Sequence, residues 1–263
     1  IYSDTDKEIE KAASLIRQSK KPFIYGGGGL VSCNVAEKFK KFVKTVDAPV
    51  SLSLMGQCAF DNTDEYYIGM LGMHGTKTSS LVIKECDLMI VLGSRFSDRV
   101  TCNTETFAKN TKIIHVDVDP AEINKNVRTY HSVHGDLDYV LDKLNSLLSQ
   151  LSHKEWIDKV MEWKKEFPLC QYGFNDDDVL PKDVISTLDE LTNGEAVIST
   201  EVGQHQMWAA QYYKYKNERS FVSSGGLGTM GYGLGASIGS KVGNPDKTVV
   251  NIAGDGSFFM NMN

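Results

Sequence analysis

The feature that most constrains the fold is a pair of short, largely apolar segments separated by a helical pattern. Residues 88–92 and 113–118 are rich in aliphatic and β-branched residues and are bounded by turn residues. Such segments are typical of strands that are buried on both faces of a parallel sheet. A helical pattern also follows at 137–148. This alternation predicts an α/β fold in which a parallel sheet has helices on both faces.

The first 150 or so residues repeat this alternation. Residues 5–8 form a capping box (Thr-x-x-Glu), which predicts that a helix begins there. A strand-like run at 22–25 ends in four glycines, a helical pattern follows at 35–46, and residues 50–54 indicate a second strand. We therefore predict one domain over residues 1–152.

The pattern changes after this domain. Residues 153–182 combine a helical pattern with a polar, acidic run at 175–178, and we interpret this segment as a solvated linker. A second α/β pattern then begins, with strands predicted at 196–200 and 248–253.

Glycines concentrate in this second α/β region, where eleven of the 23 lie between Gly203 and Gly256. Glycine lets the backbone approach another group closely, so this density predicts a binding region. The chain stops eight residues after Asp255. We therefore interpret residues 183–263 as the N-terminal part of a truncated domain.

Composition narrows the function classes. The formal net charge of −6 disfavours a broad nucleic-acid surface, and no apolar run approaches the roughly 18 residues that cross a membrane. The five cysteines are far apart and include no C-x-x-C pair, so zinc or dithiol chemistry is not indicated. Their odd number is typical of a reducing compartment, and we expect a cytoplasmic location.

Three stretches of the first domain, the glycine turn at 26–29 and the segments 71–76 and 93–99, could bind a nucleotide at the carboxyl edge of the sheet. The amides of residues 26–29 could face a phosphate at the start of a helix, although a tight strand-to-helix turn explains these glycines equally well. Residues 71–76 and 93–99 add an arginine that could bind phosphate or stack on a flat ring. An ion pair between Asp98 and a neighbouring arginine is the alternative interpretation for residues 93–99.

Acidic residues end the next predicted strand. Asp117 could accept hydrogen bonds from a ribose, as acidic residues at strand ends do in such folds. Asp119 precedes Pro120, which is typical of a helix N-cap. We interpret His131, His134 and Asp136, which follow, as packing and capping residues.

The last predicted strand runs into residues 254–257 (Gly-Asp-Gly-Ser). A carboxylate at a strand end, flanked by glycines, can hold Mg²⁺ beside a diphosphate. An Asp-Gly turn is the alternative for these four residues alone. The segments 202–206 and 225–231 precede them in the same domain and favour the binding interpretation.

Taken in order, these stretches resemble the FAD-containing acetolactate synthases (acetohydroxyacid synthases), a family of thiamine-diphosphate-dependent carboligases. The resemblance extends over nearly the whole chain and is most specific at 225–231, at 254–257 and in the flavin segments. It implies a Rossmann-like middle domain that binds FAD, followed by the start of a domain that binds thiamine diphosphate and Mg²⁺. It also implies decarboxylation of pyruvate and its condensation with a second 2-oxoacid, in branched-chain amino acid biosynthesis, with a structural role for FAD.

The resemblance assigns site residues position by position. Those matched to flavin contacts are Gly27, Gly28, Gly29, Gly72, Met73, His74, Gly75, Arg95, Asp117, Val118 and Asp136. Those matched to thiamine diphosphate are Val202, Gly203, Gln204, His205, Gly228, Met230, Gly254, Gly256 and Ser257, and Asp255 is matched to the first metal ligand. Asp98 and Arg99 are matched to the substrate channel, where an arginine suits a 2-oxoacid carboxylate.

Some positions depart from the family pattern. Ser97 stands where aspartate is usual, and Gly235 stands where proline is usual, which would loosen a helix start. The sequence lacks the domain with the activating glutamate and the second metal ligand, an asparagine. We therefore expect no catalytic residue in this polypeptide and no activity from it alone.

The resemblance further implies a homodimer or homotetramer when the protein is full length. It implies small-molecule 2-oxoacids as substrates and allows for a regulatory small subunit. Two alternative functions stay open. The chain could come from another FAD-containing carboligase, such as a glyoxylate carboligase, or it could be a nucleotide-binding module without catalysis.

Overall fold

The computed structural model describes residues 2–169 and 178–261. The chain divides into two compact units, and each contains its own parallel sheet. The first unit comprises Ile1–Ala59 and Asp64–Pro168, and the second comprises Phe60–Thr63 and Leu169–Asn263. The α/β fold class predicted from the sequence is confirmed.

The first unit alternates helices and strands. Its strands are β1 (Pro22–Gly26), β2 (Val50–Leu52), β3 (Tyr67–Met70), β4 (Leu88–Leu92), β5 (Lys112–Asp117) and β6 (His131–His134). Its helices are α1 (Tyr2–Gln18), α2 (Gly28–Cys33), α3 (Ala36–Val46), α4 (Lys77–Glu85), α5 (Asp98–Thr101), α6 (Leu137–Leu147) and α7 (Lys154–Glu166), with a 3₁₀ turn at Leu54–Gly56.

The strands of the first unit form one parallel sheet in the order β3-β2-β1-β4-β5-β6. The sequence order runs outward in both directions from the boundary between β1 and β4. In open parallel sheets with this 3-2-1-4-5-6 order, ligands bind outside the carboxyl ends of the strands at that boundary. The order therefore predicts where a ligand would bind in this unit.

Burial of apolar side chains explains these elements. Every residue of β1 and β4 is buried, as expected for central strands covered on both faces. Helix α3 places Phe39, Phe42 and Val46 on one buried face, which is the helical spacing of its sequence.

The capping-box prediction is wrong. Helix α1 begins at Tyr2, so Thr5 lies inside the helix. The Thr5 hydroxyl donates to the carbonyl oxygen of His134 at 3.2 Å, and Glu8 Oε2 accepts the His134 amide at 3.2 Å. The two side chains therefore bind strand β6 instead of the amides of their own helix start.

Helix α7 lies inside the segment interpreted as a solvated linker, yet it packs on the first unit. Trp156 and Val160 are buried in the core of this unit, and the Trp156 indole N–H donates to the carbonyl oxygen of Pro22 at 2.9 Å. Most of the acidic run at 175–178 lies outside the described residues. The domain boundaries stay a prediction.

The second unit contains helices α8 (Pro181–Thr192), α9 (Gln204–Tyr212), α10 (Tyr232–Gly243) and α11 (Asp255–Phe259), and strands β7 (Val197–Thr200), β8 (Phe221–Ser223) and β9 (Val249–Ile252). These strands form a parallel sheet in the order β8-β7-β9. Because all three run in the same direction, the loops that follow them meet at one edge. Within the described ranges, no helix is long and apolar enough to cross a membrane.

Candidate functional site

The glycine turn after β1 packs against the turn after β4. The amides of Gly27 and Gly29 donate to the carbonyl oxygens of Leu92 and Gly93, at 2.9 and 3.0 Å. A Cβ atom on Gly27 would lie 2.2 Å from the Gly93 oxygen. Close packing therefore requires glycine at 27. Of the four amides predicted to face a phosphate, those of Gly27 and Gly29 already have backbone partners.

The structure brings the predicted segments 71–76 and 93–99 into contact. The amide of Met73 donates to the carbonyl oxygen of Arg99 at 2.8 Å, and a Cβ on Gly72 would lie 2.5 Å from that oxygen. The side chains of Met73, His74, Arg95, Asp98 and Arg99 are all exposed beside this contact. The loop after β3 and the start of α5 thus form one surface.

The alternative interpretation of Asp98 was an ion pair with an arginine. The structure instead shows a hydrogen bond between the Asp98 carboxylate and a backbone amide. Its Oδ1 accepts the backbone amide of Arg99 at 2.9 Å. The guanidinium of Arg99 is exposed, so it remains accessible to an anion.

Asp117 ends β5 with a carboxylate that is almost fully buried, whereas the next side chain, Val118, is 61% exposed. Burial raises the pKa of Asp117, but the His115 ring and the amides of Asp119 and Val118 lower this pKa by more. The net effect is a pKa below the ordinary aspartate value, so the carboxylate is charged at neutral pH.

Two other acidic residues accept backbone amides, but only Asp136 caps a helix. Asp136 Oδ1 accepts the amide of Asp138 at 2.8 Å and caps helix α6. Asp119 Oδ1 accepts the amide of Ala121 at 2.9 Å. The segment after Asp119 forms turns, so the prediction that this residue caps a helix is wrong.

In the second unit, the predicted site segments follow the carboxyl ends of β7, β8 and β9. Ser257 donates from its hydroxyl to the carbonyl oxygen of Val202 at 3.3 Å. The His205 ring lies against Gly254, where an added Cβ would be 3.1 Å from the ring. A Cβ on Gly228 would lie 3.9 Å from a methyl group of Val202. The structure therefore joins these three loops at one edge of the sheet.

His205 is the one imidazole among these residues. Its Nε2 atom is buried and has no hydrogen-bond partner within the described residues. Burial lowers the pKa of His205, and the nearby charge of Glu201 offsets only part of this effect. A buried polar atom without a partner is costly, which favours a ligand atom at this position.

Asp255 begins helix α11 and has an exposed side chain. The part of the chain that the structure describes contains no group of three histidine, cysteine or acidic side chains arranged to hold a metal ion. An Mg²⁺ ion at Asp255 would therefore need ligands from a bound diphosphate, from water or from residues not described.

The loop after β8 turns sharply before α10. Gly231 has φ +85 and caps α10, and Gly228 has φ +74. These left-handed conformations favour glycine. Met230, between them, is 42% exposed, so its side chain is available at the edge where the three loops meet.

Two buried polar residues beneath these sites, His115 and Glu201, were not predicted as site residues from the sequence. Each is close to the end of a buried strand, and that position was the available signal. Neither belongs to a motif with a recognisable spacing.

Comparisons with known proteins agree with this two-part arrangement. Residues 9–144 match the family "Thiamine pyrophosphate enzyme, central domain", and residues 201–263 match "Thiamine pyrophosphate enzyme, C-terminal TPP binding domain". The chain is 46% identical over 260 residues to acetolactate synthase 1, chloroplastic, of Nicotiana tabacum, and 45% identical over 263 residues to acetolactate synthase, chloroplastic, of Arabidopsis thaliana. It is 40% identical over 269 aligned positions to the acetolactate synthase large subunit of Cyanidium caldarium.

These alignments cover 97%, 98% and 100% of the chain, respectively. They cover 38%, 39% and 46% of the three relatives. The chain therefore spans less than half the length of the curated relatives it matches.

Proposed function

Because the chain belongs to the thiamine pyrophosphate enzyme family, we propose that it is part of the catalytic subunit of an acetolactate synthase. Such an enzyme decarboxylates pyruvate and joins the remaining two-carbon unit to a second 2-oxoacid. The observation that supports this most is the identity of 40% to 46% to acetolactate synthases over nearly the whole chain. Neither alternative, a glyoxylate carboligase or a module without catalysis, has this support.

The second unit would bind thiamine diphosphate, which supplies a carbanion-stabilising centre that no side chain offers. The buried Nε2 atom of His205 fits this role because, when protonated, it could donate to a phosphate oxygen. Residues 202–204 and Gly254, Gly256 and Ser257 would surround the diphosphate. Gly228 would present a backbone acceptor to the aminopyrimidine ring, and Met230 would support the cofactor from an apolar side.

Mg²⁺ would bind at Asp255, beside the diphosphate. Magnesium proteins commonly use one or two carboxylates together with phosphate oxygens and water. The exposed carboxylate of Asp255 at a strand end fits this ligand set.

FAD would bind at the carboxyl edge of the first sheet, where the strand order reverses. The charged carboxylate of Asp117 would accept hydrogen bonds from a ribose, and the exposed guanidinium of Arg95 could bind phosphate. Gly27–Gly29, Gly72–Gly75, Val118 and Asp136 line the same edge. Since the Gly27 and Gly29 amides already have partners, we infer that these two glycines act mainly through close packing.

Substrate would approach the exposed side chains of Asp98 and Arg99. The guanidinium of Arg99 would bind a 2-oxoacid carboxylate through paired hydrogen bonds. Asp98 accepts the Arg99 amide and would hold the backbone from which that guanidinium extends.

Product formation by the purified full-length protein tests the proposal. Pyruvate should yield 2-acetolactate, and omission of thiamine diphosphate or Mg²⁺ should abolish the product. Glyoxylate offered in place of pyruvate distinguishes the alternative carboligase, because a glyoxylate carboligase would prefer it. Failure to form product from either substrate with all cofactors present would contradict the proposed function.

Two further features of the full-length protein belong to this proposal. We expect a homodimer or homotetramer that can accept a regulatory small subunit. The cytoplasmic location expected from the cysteines stays a prediction, and the plant relatives named above are chloroplastic.

A further inference from the structure

Glu201 is a fully buried carboxylate directly after β7. Its Oε2 accepts the backbone amide of Gly231 at 2.6 Å, and its Oε1 accepts the amide of Leu234 at 3.1 Å. These amides belong to the start of α10, where N–H groups lack partners within the helix. A negative charge is favourable at this end of a helix, and hydrogen bonds to a charged acceptor are strong. The contacts therefore explain how the fold tolerates a buried carboxylate.

Glu201 connects all three loops of the second site. It directly precedes the segment 202–205 in the loop after β7. Its side chain binds the loop after β8 through Gly231, and its own amide donates to the carbonyl oxygen of Ile252 at the end of β9, at 3.1 Å. A change at this one side chain would therefore act on the loop that it binds 30 residues away.

Gly231 is held through both its backbone amide and its backbone carbonyl oxygen. Its amide is held by Glu201, and its carbonyl oxygen accepts the Asn261 side-chain amide at 3.0 Å. Met230 is the preceding residue. The direction in which the Met230 side chain leaves the backbone thus depends on the two contacts of Gly231.

We propose that Glu201 is a positioning residue that, through the Gly231 amide, sets the backbone of residues 228–231 for the bound cofactor. The inference rests on the proposed function, in which Gly228 and Met230 contact thiamine diphosphate. Both carboxylate oxygens of Glu201 have backbone partners, so this residue acts through the loop.

The test uses Glu201→Gln in the full-length enzyme. Glutamine keeps the size of the side chain, but its NH₂ group would face a backbone N–H, which cannot accept a hydrogen bond. Without cofactor, amide hydrogen exchange of residues 228–236 should become at least tenfold faster, while exchange in β7 and α8 stays unchanged. Glu190→Gln, an exposed change on α8, is the matched control and should leave all exchange rates unchanged.

Kinetics provide the second readout. In Glu201→Gln, kcat should fall at least tenfold, whereas Kd for thiamine diphosphate should stay within threefold, because the residues around the diphosphate are unchanged. Glu201→Asp keeps the charge and should recover part of the lost kcat.

The outcomes separate this inference from the proposed function. A wild-type enzyme that forms no acetolactate contradicts the proposed function. An active wild type overturns the inference if Glu201→Gln keeps kcat within twofold and leaves exchange of residues 228–236 unchanged. Faster exchange throughout the second unit of Glu201→Gln also overturns the inference, as does a failure of both Glu201→Gln and Glu201→Asp to fold. In either case Glu201 would stabilise the whole unit and not one loop.

Discussion

His115 and Asp117 lie two residues apart on β5, and the Nε2 atom of His115 is 3.6 Å from Oδ2 of Asp117. The same nitrogen lies 2.9 Å from the carbonyl oxygen of Ser94, the second residue after β4. Because a carbonyl oxygen only accepts hydrogen bonds, this nitrogen must hold the proton. One ring nitrogen therefore joins the ends of two neighbouring strands and places a donor beside the Asp117 carboxylate.

Asp117→Asn should weaken FAD binding. The lowered pKa of Asp117 keeps this carboxylate charged, and a hydrogen bond to a charged group is worth about 1.5–3 kcal/mol. Titration of the full-length protein with FAD should show Kd raised at least tenfold. Asp119→Asn, an exposed change two residues away, is the control and should leave Kd within twofold. Equal affinities for the two variants would contradict a flavin contact at Asp117.

Tyr25→Phe should make the first unit less sensitive to high pH. Burial raises the pKa of Tyr25 from 10.0 to about 12. Because the folded pKa lies above the unfolded one, the stabilisation is fully present below pH 10 and is lost as the pH rises toward 12. Between pH 10 and 11, the free energy of unfolding should fall by about 1 kcal/mol less in Tyr25→Phe than in the wild type.

Urea unfolding at these two pH values measures the effect of Tyr25→Phe. The exposed Tyr130 gives a control variant, Tyr130→Phe, with the pH response of the wild type. The same fall in stability for Tyr25→Phe and the wild type would show that Tyr25 ionises equally in the folded and unfolded states.

Strands that are buried on both faces of the sheet are predicted well from the sequence. Residues 88–92 are continuously apolar, and β4 has these bounds because both faces of the strand are covered. Strand β8, Phe221–Ser223, is only three residues long and was not predicted. A segment this short has too few residues to show a period.

The same limit applies to side chains whose partners are distant in the sequence. Thr5 and Glu8 match a local capping pattern, yet their partner is His134, and only the fold brings it near. Glu201 binds backbone amides 30 or more residues later. The loops of the candidate site in the second unit were predictable because they are dense in glycine, whereas Glu201 beneath them had no spacing signal.

Gly235→Ala should stabilise the second unit. Gly235 is the fourth residue of α10. Apart from the backbone of its own helix and its chain neighbours, no atom of the described residues lies within 4 Å of a Cβ placed there. Alanine is favoured over glycine in a helix by about 1 kcal/mol. The free energy of unfolding from urea titration should rise by about this amount.

Gly233→Ala is the matched change two residues earlier in α10. Its Cβ would lie 2.6 Å from Asn251 Oδ1 and 2.8 Å from the Glu201 backbone nitrogen. Overpacking of this kind costs about 1–3 kcal/mol, so this variant should be destabilised. Equal stability of the two alanine variants would contradict the packing around α10.

Asp255→Ala in the full-length enzyme should abolish the Mg²⁺ dependence of thiamine diphosphate binding. The carboxylate is exposed at the end of β9, and alanine offers no oxygen ligand to the metal. Thiamine diphosphate is titrated into each protein in two conditions, with Mg²⁺ present and with a chelator present. The variant should give the same weak Kd in both conditions, whereas the wild type should bind more tightly with Mg²⁺. FAD affinity should stay unchanged because the proposed FAD site lies at the edge of the first sheet. Asp246→Ala, an exposed change before β9, should behave as the wild type, and full activity of Asp255→Ala at ordinary Mg²⁺ would rule out Asp255 as the metal ligand.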